Sequence, residues 1–153
     1  MSYSHLYVIY IGAQPAAIWK AITEADWTRR YYFGVEVHSE FQRGSRVEWT
    51  RQDGQLQAVG EILEVNPPSR LHYTWMYKFD ADAGNDPPTR IAWDIKGVSD
   101  RTSRLTFLHG DFPTQTKTYR ATSTGWPFIL SNLKTLLETG EALYVDTPDP
   151  SSW

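Results

Sequence analysis

Cysteine is absent from the 153 residues. That excludes disulfides, thiolate nucleophiles and thiolate metal centres, while leaving the compartment open. No Gly-x-Ser-x-Gly elbow is present either, so nucleophilic catalysis has no candidate residue. No apolar run approaches the roughly 20 residues that a membrane helix needs. Residues 1–5 are followed only by a short strand-like run at 6–11, which does not read as a signal peptide. The expectation is therefore a cytoplasmic protein without a membrane span. An excess of positive charge is also missing: 15 basic residues stand against 18 acidic ones, for a net charge of −3. Without a basic patch there is no footprint for nucleic acid.

What the chain has in abundance is aromatic side chains: seven Trp, nine Tyr and six Phe. Each brings a large apolar area, and Trp and Tyr add one polar tip that needs a partner when buried. Two readings follow, a well-filled core or a pocket for a flat apolar ligand. The length suits one domain, expected over 1–145, with 146–153 as a loose tail.

Period-2 alternation dominates residues 35–111. After a first strand at 6–11, Pro15 opens a helix over 15–22, and Trp27 marks a second over 24–30. Strands are expected at 35–40, 45–51, 56–65, 70–79, 90–98 and 104–111. Asp53-Gly54 supplies a hairpin turn, and Gly60 suggests a bulge in the third of these strands. The alternation assigns one face to Val47 and Trp49, to Tyr73, Trp75, Tyr77 and Phe79, to Ile91 and Trp93, and to Leu105, Phe107 and His109. A final helix carries Trp126, Ile129, Leu130, Leu133, Leu136 and Leu137 at helical spacing. Ser123 or Thr124 would cap its start, Pro127 would sit in its first turn, and Gly140 would end it.

The order strand, two short helices, six strands, long helix is that of the helix-grip fold, an α+β architecture. Four segments make the resemblance more specific. They are Ile11-Gly-Ala-Gln-Pro-Ala-Ala-Ile-Trp-Lys-Ala-Ile-Thr with Trp27 and Tyr32-Phe33; Gly60-Glu-Ile-Leu-Glu-Val-Asn-Pro-Pro-Ser-Arg-Leu-His-Tyr-Thr-Trp75; Arg104-Leu-Thr-Phe-Leu-His-Gly-Asp111; and Gly125-Trp126 through Leu136-Leu-Glu-Thr-Gly140. In this order they resemble the Hsp90-ATPase-activator-homologue (AHSA1-like) family of the START/Bet v 1-like (SRPBCC) superfamily. The resemblance implies a curved antiparallel sheet of about seven strands with the long helix across it. Members of the superfamily bind sterols, lipids, polyketide-like aromatics and plant hormones, and some catalyse cyclisation.

A cavity between sheet and last helix is the natural candidate site. Its expected ligand-binding residues are Phe33 and Trp49; Tyr73, Trp75 and Tyr77; Trp93, Phe107 and His109; and Trp126, Leu130 and Leu133. Bulkier replacements such as Tyr73→Trp or Leu130→Trp should then block it. His109 is the one polar member and needs a partner. It is a core histidine bonded to a tyrosine or a backbone group, a ligand anchor or acid/base, or half of a metal pair with Asp111. Two ligands do not make a metal site, so no metal, cofactor or catalytic residue is assigned. His5 and His72 are expected in water, Glu48 and Asp94 on outward faces, and Arg29-Arg30 at a helix end or as an anion site near the cavity mouth. The leading expectation is non-enzymatic binding of a small hydrophobic or aromatic molecule. The alternatives are a co-chaperone-like or regulatory module with a protein partner, and, more weakly, a cyclase- or hydratase-type enzyme using His109 or a Tyr. The oligomeric state is not legible.

Overall fold

The computed structural model describes residues 2–145, so the tail expected at 146–153 lies outside the described residues. Across the described residues the chain runs β1 (Tyr3–Ile11), α1 (Pro15–Thr23), α2 (Ala25–Tyr31), β2 (Glu36–Ser39), β3 (Arg46–Thr50), β4 (Leu56–Asn66), β5 (Arg70–Tyr77), β6 (Thr89–Ser99), β7 (Thr102–Phe112) and α3 (Lys117–Thr139). A short 3-10 turn, Ala83–Asn85, interrupts the β5–β6 connection. The strands form one antiparallel sheet in the order β1-β7-β6-β5-β4-β3-β2. With α3 packed on one face, this is the helix-grip architecture. No helix among the described residues is long and apolar enough to cross a membrane.

The alternation read from the sequence decides the inner face. Val47, Trp49, Tyr73, Trp75, Ile91, Trp93, Leu105, Phe107 and His109 are all buried, and Tyr77 is half-buried. A one-residue slip would have inverted any of these strands. Phe79 departs from the expectation. β5 ends at Tyr77, the last rung being Lys78 N–H to Gln57 O at 2.9 Å. Phe79 is exposed, and the Arg51 guanidinium lies 3.8 Å from its ring centroid.

Gly60 is not a bulge. The register shifts flank it, between Trp49 and Thr50 against β3 and between Ile62 and Glu64 against β5. Its role is close approach, since a Cβ there would stand 1.7 Å from the Thr74 carbonyl oxygen. The Thr74 hydroxyl oxygen accepts the neighbouring Glu61 N–H at 2.9 Å, in place of a ladder bond.

α3 starts well before the expected Ser123. Thr116 is its N-cap, with Oγ1 accepting from Tyr119 N–H at 3.1 Å. Asp86, from the β5–β6 connection, accepts from Thr118 N–H at 3.0 Å and from its hydroxyl at 2.6 Å. Residues 117–125 have no apolar period, so the first turns are legible only through these partners. Pro127 consequently sits in mid-helix, where it removes one backbone donor. Gly140 ends the helix in the left-handed region, φ 84°, as expected.

Two substitutions probe this packing. Leu133, fully buried at the middle of the apolar stripe, should cost roughly 2–5 kcal/mol on replacement by Ala, read from urea melts. Gly60→Ala removes no contact, yet should cost about 3 kcal/mol or more, because a backbone carbonyl cannot yield to the new methyl. A loss below about 1 kcal/mol for either would contradict the packing described.

Candidate functional site

The question left by the sequence was whether the interior is filled or open. It is both, and the division runs along α3. The C-terminal half turns Ile129, Leu130, Leu133 and Leu136 onto the sheet and fills the space. The N-terminal half presents Ala121, Thr122, Thr124 and Gly125, which are too small to reach across. A cavity of about 720 Å³ remains beneath them. Its other walls are Tyr32, Phe33 and Val35 after α2; Arg51, Gln52 and Asp53 in the β3–β4 turn; Gln57 of β4; and Trp75, Tyr77, Phe79 and Asp80 along and after β5. Trp126 and Ile129 close its inner end.

Of the expected site residues, Phe33, Trp75, Tyr77 and Trp126 line this cavity. Trp49, Tyr73, Trp93, Phe107, His109, Leu130 and Leu133 do not; they make the packed core beside it. Trp93 Nε1–H donates to the Tyr73 hydroxyl oxygen at 2.8 Å, and Trp49 lies against Tyr73 with ring centroids 4.9 Å apart. Phe107 packs between Trp93 and Trp126, at 4.7 and 4.6 Å. Burial pushes the Tyr73 hydroxyl well above its ordinary pKa. Replacing Tyr73 or Leu130 by Trp would therefore overpack this core instead of blocking the cavity. Tyr32, Val35, the turn residues and the small residues of α3 line the cavity without having been expected there. The turn residues carry no periodic signal, Ala121 and Thr122 lie ahead of the expected start of the helix, and Thr124 and Gly125 lie at that start, off its apolar stripe.

The mouth is polar and tied down. Asp80 binds Lys117 at 2.7 Å, which holds its carboxyl below the usual carboxylate range. Together with Asp86, it fastens the β5–β6 connection to the start of α3. Phe33 adopts a left-handed backbone, φ 50°, which is strained for an aromatic residue. Its ring stacks on Phe128 of α3, centroids 5.3 Å apart. Trp75 Nε1 is buried and is the one side-chain polar atom of that kind without a hydrogen-bond partner among the described residues.

His109 is a core histidine, although its partners are neither tyrosine nor backbone. Trp126 Nε1–H reaches its Nδ1 at 2.9 Å. An indole nitrogen only donates, so Nδ1 accepts and the ring proton sits on Nε2. That Nε2–H donates to Thr89 Oγ1 at 2.8 Å, and the Thr89 hydroxyl donates to the Trp75 carbonyl at 2.9 Å. Both nitrogens are committed and the ring does not line the cavity, which leaves it no reach to a bound molecule. Asp111 does not share its face. Asp111 itself is left-handed, at φ 69°; its side chain lies outward on Arg90, and Phe112 takes the inner position.

His5, expected in water, is buried. β1 begins at Tyr3, which puts His5 on the inner face. Its Nε2–H donates to Thr122 Oγ1 at 3.0 Å and to the Tyr119 carbonyl at 3.2 Å, and its ring stacks on Tyr119 at 4.4 Å. His72 lies half-buried on the outer face, 3.5 Å from Glu64 and 3.6 Å from Asp94. Glu48 pairs with Arg46 and Asp94 with Arg70. Arg29 binds Asp26 at 2.7 Å, and Arg30 donates to the Gly140 carbonyl at 3.1 Å over the Trp27 ring, so neither forms an anion site at the mouth.

Fold and cavity together define a helix-grip protein. The chain belongs to the family described as activator of Hsp90 ATPase homolog 1-like protein, whose model matches residues 12–138. Solved structures share the architecture at low identity. The Aha1 dimer from Colwellia psychrerythraea superposes with a TM-score of 0.72 at 19% identity, covering 92% of this chain and 99% of that one. PFC0360w, an HSP90 activator from Plasmodium falciparum, gives 0.72 at 18%, over 88% and 95%. DynU16, a putative protein in the dynemicin biosynthetic locus, gives 0.73 at 19%, over 94% of this chain and 50% of that one. At such identities the likeness is one of fold. No curated protein matches the sequence significantly.

The two inner histidines predict a pH dependence. Burial lowers His5 below, and His109 well below, the ordinary imidazole pKa; the charge of His5 adds to the effect at His109. Below about pH 6.5 the unfolded chain then binds protons that the folded one refuses. Stability contributed by these neutral rings is complete above that pH and declines as the pH falls towards their folded values. Urea melts at pH 7, 6 and 5 should show a falling midpoint, and His109→Asn should flatten the slope. A midpoint that is flat over this range in the native protein would contradict the burial of neutral imidazoles.

Proposed function

We propose that this protein binds a flat, predominantly apolar molecule of flavonoid, polyketide or fatty-acid size in the cavity under the N-terminal half of α3. It does so without turning the molecule over, in a cytoplasmic setting. The observation that carries the reading is a cavity of about 720 Å³ walled by Phe33, Trp75, Tyr77 and Trp126. That volume lies within the span of small-molecule sites, and the aromatic lining is of the usual kind. Arg51, Gln57 and Asp80 at the rim supply the few polar groups that orient a ligand. Among the described residues no imidazole lines the cavity, which supports binding over turnover: His109, the most perturbed histidine, is sealed behind Trp126.

A second reading, a protein-interaction module, draws on the outer face at β1. Leu6, Val8 and Tyr10 are 60%, 52% and 53% exposed there, and the neighbouring Leu108 is 39% exposed. Family membership and the fold shared with an HSP90 activator from Plasmodium falciparum support it. This face is remote in the fold from the cavity wall, so the two readings separate experimentally.

Gly125 offers a clean test. It lines the cavity, and an added Cβ there meets nothing within 4 Å. Gly125→Leu should keep or raise the melting temperature, since leucine is the better helix former by roughly 0.8 kcal/mol. It should also abolish binding in a thermal-shift and tryptophan-fluorescence screen with naringenin, emodin and palmitate. A ligand that prefers the native state raises the wild-type melting temperature. If none of these shifts the wild type, and Leu6→Ser with Val8→Ser alters a protein association instead, the second reading replaces the first.

A further inference from the structure

Trp126 and Trp75 are both cavity residues, and both are held from behind by one side chain. His109 accepts the Trp126 indole N–H at 2.9 Å. Through Thr89 it also reaches the Trp75 backbone carbonyl, by bonds of 2.8 and 2.9 Å. Its ring packs edge-on against both indoles, with centroids 5.2 Å from Trp75 and 5.8 Å from Trp126. The indole nitrogen of Trp126 is thereby spent on the core, and the ring surface left to the cavity at that wall is carbon.

We propose that His109 is the positioning residue that sets the specificity of the cavity: by holding the Trp126 N–H in the core, it presents an apolar wall that selects ligands with a flat hydrocarbon face there. The proposal rests on the binding reading above for its ligand, and on the structure alone for the hold. The role demands a neutral ring protonated at Nε2, because a proton on Nδ1 would confront the indole N–H. The surroundings keep it that way. The titratable group that faces His109 is His5 of β1, at 6.1 Å between ring centroids. From β5, β7 and α3 it is faced by Trp75, Phe112 and Trp126, none of which carries a charge. No carboxylate bonds to it among the described residues, so nothing favours the imidazolium.

Releasing the hold would free the Trp126 N–H to turn towards the cavity. Buried there without an acceptor it carries a penalty, relieved only by a ligand that brings an acceptor. The wall would then favour oxygenated ligands over hydrocarbon ones.

Two variants separate this from plain packing. His109→Phe keeps a planar ring, slightly larger, and loses the acceptor. His109→Asn loses volume but keeps an acceptor oxygen near the Nδ1 position. Fluorescence titrations with N-phenyl-1-naphthylamine, an apolar probe, and with naringenin, rich in acceptors, give an affinity ratio for each protein. His109→Phe should shift that ratio towards naringenin by about tenfold, the scale of one unsatisfied buried donor. His109→Asn should leave it within about threefold of wild type, even if it melts earlier. In a Trp126→Phe background the effect of His109→Phe should vanish. Nitrogen-15 NMR of the wild type should show the Nε2–H tautomer and a Trp126 indole proton protected from exchange. The opposite order, with Phe wild-type-like and Asn altered, would mean that His109 acts only by filling space. An Nδ1–H tautomer or a fast-exchanging indole proton would overturn the proposal outright. Should the wild type bind neither probe nor any ligand in the screen, the binding reading fails, and the hold stands or falls on the tautomer and the exchange rate.

Discussion

How far α3 is held from the sheet governs everything else in this molecule. The distance is set by side-chain size along a single helix. From Trp126 onward the stripe is large and apolar: Leu133 and Leu136 belong to the core cluster that also holds Leu105, Phe107 and Trp93, and Trp126 packs on Phe107. Ahead of Trp126 the helix has little to bury. Threonines, an alanine and a glycine line the cavity there, so the same rigid rod, anchored at its far end, spans an opening. An isolated helix with so little apolar surface in its first turns would fray. Here the Thr116 cap, the Asp86 carboxylate and the Asp80–Lys117 pair hold it down from outside the core.

The interior also has polar atoms to satisfy, and the way they are partnered separates core from cavity. Tyr73 and Trp93 satisfy each other. His109, Thr89 and Trp126 form a chain that ends on a carbonyl of β5. His5 and Thr122 form a second chain that ends on α3 itself. Unpaired, any of these groups would cost on the order of 1–3 kcal/mol. The buried tyrosine and histidines are thus structural members whose chemistry is already occupied, even where a motif-based reading would place acid–base function. The exception among the described residues is the Trp75 indole nitrogen, buried without a partner.

The sheet was the most legible part of the chain. Its inner face followed from period-2 alternation in β3, β5, β6 and β7, since the side-chain period of a strand leaves no intermediate choice. The errors fell where a residue's role depends on something distant in sequence. Gly60 read as a bulge and proved to be a close approach to Thr74, a residue of the neighbouring strand. Asp111 left the face of His109 because its own backbone is left-handed. His5 looked terminal until β1 was paired with β7 opposite His109.

The class of fold is written in the chain, because alternation, capping residues and the order of elements are local signals that all point to the same architecture. So are the family and the apolar face of each strand. Where space remains is settled by packing in three dimensions. A cavity is a difference between what two surfaces could fill and what they do fill, and neither surface states it alone. The small residues of 117–125 left no periodic trace of the helix they belong to, and the same smallness keeps the interior open beneath them. Of the aromatic stripe, Trp75 and Tyr77 line that opening while Trp49, Tyr73 and Trp93 close the core, a division that the shared alternation of the strands does not express.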